Sequence, residues 1–463
     1  MLRNRLPEIE IPDDNPFLND KLGRSECADT FCKLVKQYAD TGCVVSLNGE
    51  WGTGKTTFVK MLMQKMINEG GHPLYFNAWE NDYVSDPLVA ILSELKELFP
   101  DSSKFDNVVS CGGKILANIV TSTTKSFLKN KLGIDTDLVN AGIDDIGNLL
   151  KTDLEEYANQ KKSFEEFRNA LEDYIADNAE SDYPIVFFID ELDRCNPHFS
   201  VQVLERIKHL FDIPNIVFVL SINKQQLEHA INGYYGSADI DSRNYLRRFI
   251  DIEYSLPRPN GEVFCNYLYM TYYFDEVFNN ETRVRMPEFS TDKEHFQIIT
   301  KALISAFGLD LRTADRIFAH TRLAVSSFRA HSYIFPDVFF LLCLLRIVNP
   351  LLYNNIYEAK LSPQEILNEV EKSLPLELLL KSDYSITWIQ MTSTLATLIY
   401  MYSLNENGRD SIFIKTSNEV KISIQPKIID AVKFSDALNR AADKRGLYQL
   451  KYLLHRIELQ QSI

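Results

Sequence analysis

Short apolar runs separated by polar segments dominate the first half of the chain and predict buried strands. The runs include Cys43–Leu47, Ile185–Ile189 and Asn215–Ile222. Pro73–Glu80 contains a further strand together with the polar residues that follow it, and a last strand follows Arg247 and ends at Pro257. Apolar runs of this length are short for helices and suit strands that are covered on both faces. Helical patterns alternate with them, so the sequence predicts an α/β fold with a parallel sheet.

Apolar residues at helical spacing predict helices between these strands and throughout the second half. The predicted helices of the first half are Arg24–Asp40, Thr57–Met63, Pro87–Phe99 and Phe199–Phe211. In the first of them, Phe31 and Val35 lie on one face with Leu34 and Tyr38. From Gly261 to about Leu459 helical periodicity dominates, with breaks near 349–350 and 405–408, and no β-rich pattern is present.

Residues 101–180 interrupt the alternation of strands and helices. The early part is polar, as at Thr121–Lys125, and residues 142–182 carry twelve acidic and four basic side chains. Such an acidic run is typical of a solvated helix face. We therefore predict a mainly helical insertion here.

These patterns divide the chain into four predicted parts. They are an irregular lead-in over 1–24, a nucleotide-binding core over 25–260 that contains the insertion, a helical lid over 261–335, and a C-terminal helical domain over 336–463.

A glycine-rich loop follows the first strand and reads G-x-x-x-x-G-K-T. Its residues are Gly49, Glu50, Trp51, Gly52, Thr53, Gly54, Lys55 and Thr56, and the helix continues with Thr57. Strand, loop and helix in this order are the context that a phosphate-binding loop needs. Backbone N–H groups of the loop and the helix N-terminus bind phosphate oxygens. We expect Lys55 to reach the β- and γ-phosphates and Thr56 to ligate Mg²⁺.

Two carboxylates follow the third apolar run. Asp190 comes directly after Ile189, and Glu191 is the next residue. The C-terminal tips of parallel strands are where ligands bind in open α/β sheets. We expect Asp190 to hold Mg²⁺ directly or through water, and Glu191 to orient and deprotonate a water molecule beside the γ-phosphate.

Asn223 follows the fourth apolar run and has two possible roles. Its amide could hold the attacking water or sense the γ-phosphate, or it could cap the helix that begins near Lys224. One residue can do both.

Composition and charge restrict the possible partners. The chain has 463 residues, a net charge of −15 and seven scattered cysteines. The charge argues against sequence-independent binding of phosphate backbones by the whole surface, although a local basic patch remains compatible with it. The cysteines are typical of reduced thiols in a cytoplasmic protein. The longest apolar stretch, Val338–Leu345, is far below the length of about 20 residues that spans a bilayer, so we expect no integral membrane segment.

Other nucleotide-binding classes fit these residues poorly. Guanine-reading proteins carry N-K-x-D, whereas residues 223–226 read Asn-Lys-Gln-Gln. They also carry D-x-x-G, whereas residues 190–193 read Asp-Glu-Leu-Asp. An S-G-G-Q element of transporter cassettes is missing from the sequence. The adjacent Asp and Glu favour water as the phosphoryl acceptor and ATP as the nucleotide.

Four segments of the chain resemble the KAP family of P-loop NTPases over roughly residues 16–330. They are Gly49–Thr56, Phe76–Glu80 with its F-N-A-W sequence, Phe188–Cys195, and Tyr245–Ile250. The resemblance implies an ASCE-type core, in which a strand is inserted between the loop strand and the metal strand. We expect the strand that ends before Asn223 to be the inserted one.

The resemblance also has limits. Many family members carry transmembrane helices between the loop and the metal strand, and residues 101–180 contain no apolar span of that length. The family often has Asp-Asp in the metal segment. Glu191 departs from that pattern, which leaves the role of base divided between Glu191 and Asp193. Bacterial members are associated with phage exclusion and defence.

Three groups of arginines are candidates for further roles. Arg194 follows the acidic residues, and pairing with Asp193 is its expected structural role. Arg247 and Arg248 precede the last strand, where ring-forming relatives carry an arginine that stabilises charge on a neighbour's γ-phosphate; surface ion pairs are the alternative. Arg312 and Arg316, on a helix that begins near Leu311, are weaker candidates for a sensor of the nucleotide.

These observations support three hypotheses about function. The first is an ATP-hydrolysing conformational switch that changes its contacts with a protein partner or with further copies of itself. The second is a scaffold that binds ATP and hydrolyses it negligibly. The third is a DNA-stimulated motor or loader.

Overall fold

The computed structural model divides the chain into two compact units, Ile9–Arg258 and Pro259–Ile463. The residues that the structure describes are 9–84, 86–98, 104–116, 153–178, 183–208, 213–236, 240–258, 260–380, 385–406, 412–415, 420–444 and 448–460. The predicted four-part division of the chain stays a prediction.

A five-stranded parallel sheet forms the centre of the first unit. Its strands are β1 (Cys43–Asn48), β2 (Pro73–Asn77), β3 (Ile185–Asp190), β4 (Ile216–Ile222) and β5 (Ile252–Ser255). Their order across the sheet is β2-β3-β4-β1-β5. The strand β4 therefore lies between β1, which precedes the glycine-rich loop, and β3, which ends at Asp190, and this confirms the predicted insertion. All strands of this sheet are parallel, so their C-terminal tips share one edge.

The apolar runs form the inner strands because these strands are buried on both faces. Every residue of β3 and β4 is buried, whereas the outer strands β2 and β5 alternate between more and less exposed positions. Burying an aliphatic or aromatic side chain contributes about 1.5–3 kcal/mol. The inner strands are therefore a rigid support for side chains at their tips.

Helices of the first unit pack on both faces of the sheet or belong to the insertion. They are α1 (Ser25–Gln37), α2 (Lys55–Asn68), α3 (Pro87–Leu98), α4 (Phe105–Leu116), α5 (Asp153–Asn178), α6 (Pro197–Ile207), α7 (Lys224–Tyr235) and α8 (Ser242–Leu246). On one face, Phe31 and Phe58 share a core with Val45 and Phe188. On the other face, Phe76 and Ile91 pack with Phe187.

The described part of the insertion is helical, as predicted. In α4 and α5, Phe105 and Tyr174 lie with their ring centroids 5.4 Å apart, and the Tyr174 hydroxyl donates to the Leu95 carbonyl. The polar segment at Thr121–Lys125 and the rest of residues 117–152 lie outside the described residues.

The second unit is mainly helical. Its helices are α9 (Gly261–Thr271), α10 (Asp275–Phe278), α11 (Glu281–Val284), α12 (Asp292–Ala306), α13 (Leu311–Val325), α14 (Pro336–Val348), α15 (Pro350–Tyr357), α16 (Pro363–Ser373), α17 (Leu376–Leu379), α18 (Ile386–Glu406), α19 (Ala431–Lys444) and α20 (Lys451–Ile457). The apolar stretch Val338–Leu345 lies in α14 and is completely buried in this unit. Within the described ranges, no helix combines the length and the apolar character needed to cross a membrane.

The mainly helical second unit also contains one short hairpin that the sequence did not reveal. A two-stranded antiparallel hairpin, β6 (Phe413–Lys415) and β7 (Val420–Ile422), follows α18. Each strand has three residues, which is too short for alternation of apolar and polar residues to stand out from helical periodicity.

Candidate nucleotide-binding site

The glycine-rich loop runs from the tip of β1 to the first turn of α2. Gly52 and Gly54 have φ angles of 75° and 81°, a left-handed backbone that favours glycine. The Gly49 N–H donates to the Ile222 carbonyl at 3.1 Å, which fastens the start of the loop to the tip of β4. Thr53 Oγ1 donates to the Glu50 carbonyl at 2.7 Å and closes the turn. The loop therefore presents the N-terminus of α2 at the C-terminal edge of the sheet.

The Lys55 ammonium group lies inside this loop. Its Nζ donates to the carbonyls of Gly49 and Glu50 at 2.7 and 3.1 Å. Burial lowers the pKa of Lys55, while Asp193 and Asp190 act in the opposite direction. The fold thus brings the loop lysine within electrostatic range of the carboxylates that follow β3, although these residues are more than 130 positions away in the sequence.

Asp190 is held firmly at the tip of β3. Its side chain is 1% exposed, its Oδ1 accepts the Glu191 N–H at 3.0 Å, and its Oδ2 accepts the Tyr75 hydroxyl at 3.1 Å. Asp190 follows Phe188 by two residues, so it lies on the face of the sheet that α2 covers. Thr56 is in the first turn of that helix.

The residues at this edge fit a magnesium ion brought by a nucleotide. Ser221 is the register partner of Asp190 on β4, and its buried Oγ has no hydrogen-bond partner among the described residues. A carboxylate and hydroxyl groups are the hard oxygen ligands that Mg²⁺ prefers. The described residues contain no cluster of three or more His, Cys, Asp or Glu that forms a metal cage by itself.

Glu191 occupies a strained position and pairs with an arginine. Its φ is 60°, which is uncommon for a residue other than glycine. The Arg194 Nη1 lies 2.7 Å from Glu191 Oε1. Burial raises the pKa of Glu191, and Arg194 opposes that effect. The predicted pairing of Arg194 with Asp193 is therefore wrong, because the single 3₁₀ turn Leu192–Arg194 brings residues three apart to the same side.

Asp193 is instead joined to the glycine-rich loop. The carboxylate is 8% exposed and accepts a hydrogen bond from the Trp51 indole N–H. Sequence reasoning missed this contact, since Trp51 occupies a variable position of the loop motif. A large donor at such a position is a weak signal that can only be interpreted once the fold is known.

The F-N-A-W segment lies beside the acidic residues. Asn77 is the register partner of Asp190, and its Oδ1 accepts the N–H groups of Trp79 and Glu80 at 3.1 and 3.3 Å. The Arg194 guanidinium carbon is 5.7 Å from the centre of the Trp79 ring. Trp79 thus supports the arginine that pairs with Glu191.

Asn223 caps α7. Its Oδ1 accepts the Gln226 N–H at 3.3 Å, which confirms the capping role. Its predicted role toward the γ-phosphate stays a prediction. At the same edge, Asn48 Oδ1 accepts the Lys224 N–H at 3.0 Å, so the tips of β1 and β4 are joined.

The other candidate arginines are exposed. Arg247 and Arg248 follow α8, and Arg247 Nη1 donates to Asn244 Oδ1 at 3.2 Å. Arg312 and Arg316 are on α13 in the second unit. Their roles toward nucleotide stay predictions.

A family model described as the KAP family P-loop domain matches residues 24–328 of the chain. The match covers the glycine-rich loop, the F-N-A-W segment and the acidic residues in one stretch.

Comparison with curated and solved proteins gives weaker similarities. The chain is 20% identical over 261 residues to the phage T7 exclusion protein of Escherichia coli K12, a stretch that is 52% of this chain and 34% of that protein. The chain therefore spans about a third of that relative. The structure of the Aeropyrum pernix ORC2 protein in ADPNP–ADP complexes aligns with a TM-score of 0.36 at 12% identity, over 95% of this chain and 97% of that one. A second structure of that protein, in its ADP form, aligns with a TM-score of 0.33 at 12% identity, covering 95% and 96%.

Proposed function

Because the chain belongs to the KAP family of P-loop NTPases, we propose that it binds ATP with Mg²⁺ and hydrolyses it as a conformational switch. The observation that carries the proposal is the convergence of Lys55 with Asp190, Glu191 and Asp193 at one edge of the sheet. A phosphate-binding loop after one strand and carboxylates after another strand of the same sheet are the parts that phosphoryl transfer to water needs.

The loop residues bind the nucleotide in this proposal. Residues Gly49 to Thr57 form the phosphate site, in which free backbone N–H groups of the loop surround the phosphates, and Lys55 exchanges its loop carbonyls for phosphate oxygens. Thr56 and Asp190 hold Mg²⁺, which neutralises charge on the phosphates when it is bound.

Glu191 is the better candidate for the base. Burial raises its pKa, so its carboxylate accepts a proton from water more readily than an exposed one. Asp193 has one oxygen occupied by the Trp51 indole N–H, a contact that links the loop to the acidic residues. We therefore assign proton acceptance to Glu191 and a structural link to Asp193.

A steady-state ATPase assay with and without DNA tests this proposal. Turnover that needs Mg²⁺ but no DNA supports the switch. Tight ATP binding without turnover indicates a scaffold, and turnover that appears only with DNA indicates a DNA-stimulated motor.

Replacing Tyr75 by phenylalanine should weaken magnesium binding. The change removes the hydroxyl that donates to Asp190 Oδ2 and leaves the ring in place. Loss of an outer hydrogen bond to a metal ligand lowers metal affinity by roughly 10-fold. The measurement is calorimetric titration of ATP at several Mg²⁺ concentrations. Tyr254→Phe, which removes a hydroxyl bonded to the Cys27 carbonyl, is the matched control; equal effects in the two variants would contradict the role of Tyr75.

We also propose that ATP promotes self-association and that Arg247 or Arg248 completes a neighbour's site. Both side chains are exposed, so a second copy can reach them. An arginine at the γ-phosphate raises the rate by roughly 10³-fold or more. Turnover per molecule should then rise with protein concentration, and light scattering should increase with ATP.

The control for this assembly is Arg243→Ala, which removes an exposed arginine of α8. We expect that variant to keep the concentration dependence and Arg247→Ala with Arg248→Ala to lose it. Constant specific activity from a monomer across the dilution series would assign both arginines a structural role only.

A role in defence against phage is part of the proposal. Its support is the similarity to a phage T7 exclusion protein, which covers about a third of that protein. We expect a cytoplasmic location for such a function. Phage plating on cells that produce the wild type or Lys55→Ala tests it; equal plating on both would exclude a nucleotide-dependent role in defence.

A further inference from the structure

The backbone conformation at Glu191 restricts the directions in which its side chain can point. Its N–H donates to Asp190 Oδ1 at 3.0 Å, and its carbonyl accepts the Arg194 N–H at 3.0 Å. The left-handed φ of 60° is imposed by the sharp change from β3 to the 3₁₀ turn. Strain of this kind costs about 1–3 kcal/mol and persists where the surroundings enforce it. The structure therefore holds Glu191 in one backbone conformation.

The carboxylate of Glu191 is held by a chain of contacts that begins at the tip of β2. Asn77 fixes the turn that carries Trp79, and the Trp79 ring lies beside the Arg194 guanidinium. Arg194 in turn contacts Glu191 Oε1 at 2.7 Å. The side chains of Glu191 and Arg194 are 17% and 25% exposed, so solvent screens this pair only in part.

Negative charge surrounds Glu191. Besides Arg194, the groups that interact with it electrostatically are Lys55, Tyr75, Glu80, Asp190, Asp193 and Cys195. Lys55 donates to the loop carbonyls, so Arg194 is the cation in direct contact with the Glu191 carboxylate. Removing Arg194 would leave neighbouring carboxylates close to Glu191 without a compensating charge.

We propose that Arg194, supported by Trp79, is a positioning residue that orients the Glu191 carboxylate. The F-N-A-W segment then has a defined task, which is to hold Arg194 against Glu191. This inference rests on the proposed ATPase, because Glu191 is a base only in that reaction.

The first test is the separation of kcat from KM. Arg194→Ala should lower kcat by roughly 10²-fold through loss of orientation, while KM and the affinity for ATP stay close to those of the wild type. Arg194→Lys should restore only part of kcat, since lysine keeps the charge but lacks the planar guanidinium.

The matched control removes a similar ion pair elsewhere in the same unit. Arg168 Nε and Glu172 Oε1 are 3.1 Å apart on α5, at 36% and 37% exposure. We expect Arg168→Ala to change neither kcat nor KM. A positioning role is excluded if Arg194→Ala behaves in the same way.

The second test needs no turnover. Trp79 and Trp51 are half-exposed and Trp388 is buried, so the fluorescence difference between wild type and Trp79→Phe reports on Trp79. Removing Arg194 leaves the Trp79 ring without this cation contact and should change the Trp79 contribution, whereas Arg168→Ala should leave it unchanged. An unchanged Trp79 contribution in Arg194→Ala overturns the inference.

The two tests separate this inference from the proposed function. If the wild type binds ATP without turnover but Arg194→Ala changes the Trp79 emission, the contacts are as proposed and the ATPase is wrong. If turnover needs Glu191 while Arg194→Ala keeps both kcat and the Trp79 emission, the ATPase stands and the role of Arg194 is wrong.

Discussion

We expect the replacement of Lys55 by alanine to abolish binding of ATP–Mg²⁺. The ammonium group lies inside the loop, where it donates to the carbonyls of Gly49 and Glu50. When phosphates enter the loop, the same group is the cation placed to neutralise them, and an alanine leaves the γ- and β-phosphate charges without it. Calorimetric titration should show no heat for the variant.

The control for this experiment is Lys60→Ala, which removes an exposed lysine of the same helix. We expect that variant to bind ATP as the wild type does. Thermal unfolding of both variants shows whether the sheet unit remains folded. Undiminished affinity in Lys55→Ala would end the interpretation of residues 49–56 as a phosphate-binding loop.

We expect the replacement of Glu191 by glutamine to preserve ATP binding and to abolish turnover. The amide has nearly the same shape and can still accept a hydrogen bond from Arg194, but it cannot take a proton from water. Loss of a general base costs roughly 10²–10⁴-fold in rate. Initial rates of phosphate release and calorimetric titration on the same preparation measure the two properties separately.

The wild-type reaction should also depend on pH in a defined direction. Burial raises the pKa of Glu191, so turnover should fall on acidification at a higher pH than an exposed glutamate would require. At a pH below the pKa of Glu191, its carboxyl group is protonated and cannot act as a base.

Asp193→Asn is the decisive comparison for the choice of base. The amide oxygen can still accept the Trp51 indole N–H, so we expect the link to the loop and much of the turnover to remain. If Asp193→Asn loses turnover and Glu191→Gln keeps it, the assignment of the base is wrong.

Local sequence was enough to predict the parts of this fold that depend on neighbouring residues. The strands β1, β3 and β4 are buried on both faces, so each required a nearly continuous apolar run. The loop could be predicted because its glycines and Lys55 act through a backbone conformation that eight consecutive residues specify. The placement of β4 between β1 and β3 followed from the family resemblance, and the strand order confirms it.

The contacts among the acidic residues could not be predicted in the same way. Tyr75 and Asp190, or Trp51 and Asp193, are more than 110 positions apart, and each contact depends on the order and register of strands. The expected pairing of Arg194 with Asp193 failed because adjacent side chains on a tight turn point in different directions. The sequence did not predict the hairpin of β6 and β7, because strands of three residues are too short to show an alternating pattern and are recognised only by their pairing.

The sequence by itself determined that this protein has a phosphate-binding loop and a buried acidic strand tip, since burial and loop geometry are properties of short segments. Only the tertiary structure decided how the two acidic candidates differ: Glu191 pairs with Arg194, and Asp193 accepts the Trp51 indole. The physical reason is that the 3₁₀ turn after β3 sets the partner of Glu191, and the order of the strands brings the loop after β1 to Asp193. Parallel strands bring together residues that are far apart in the chain.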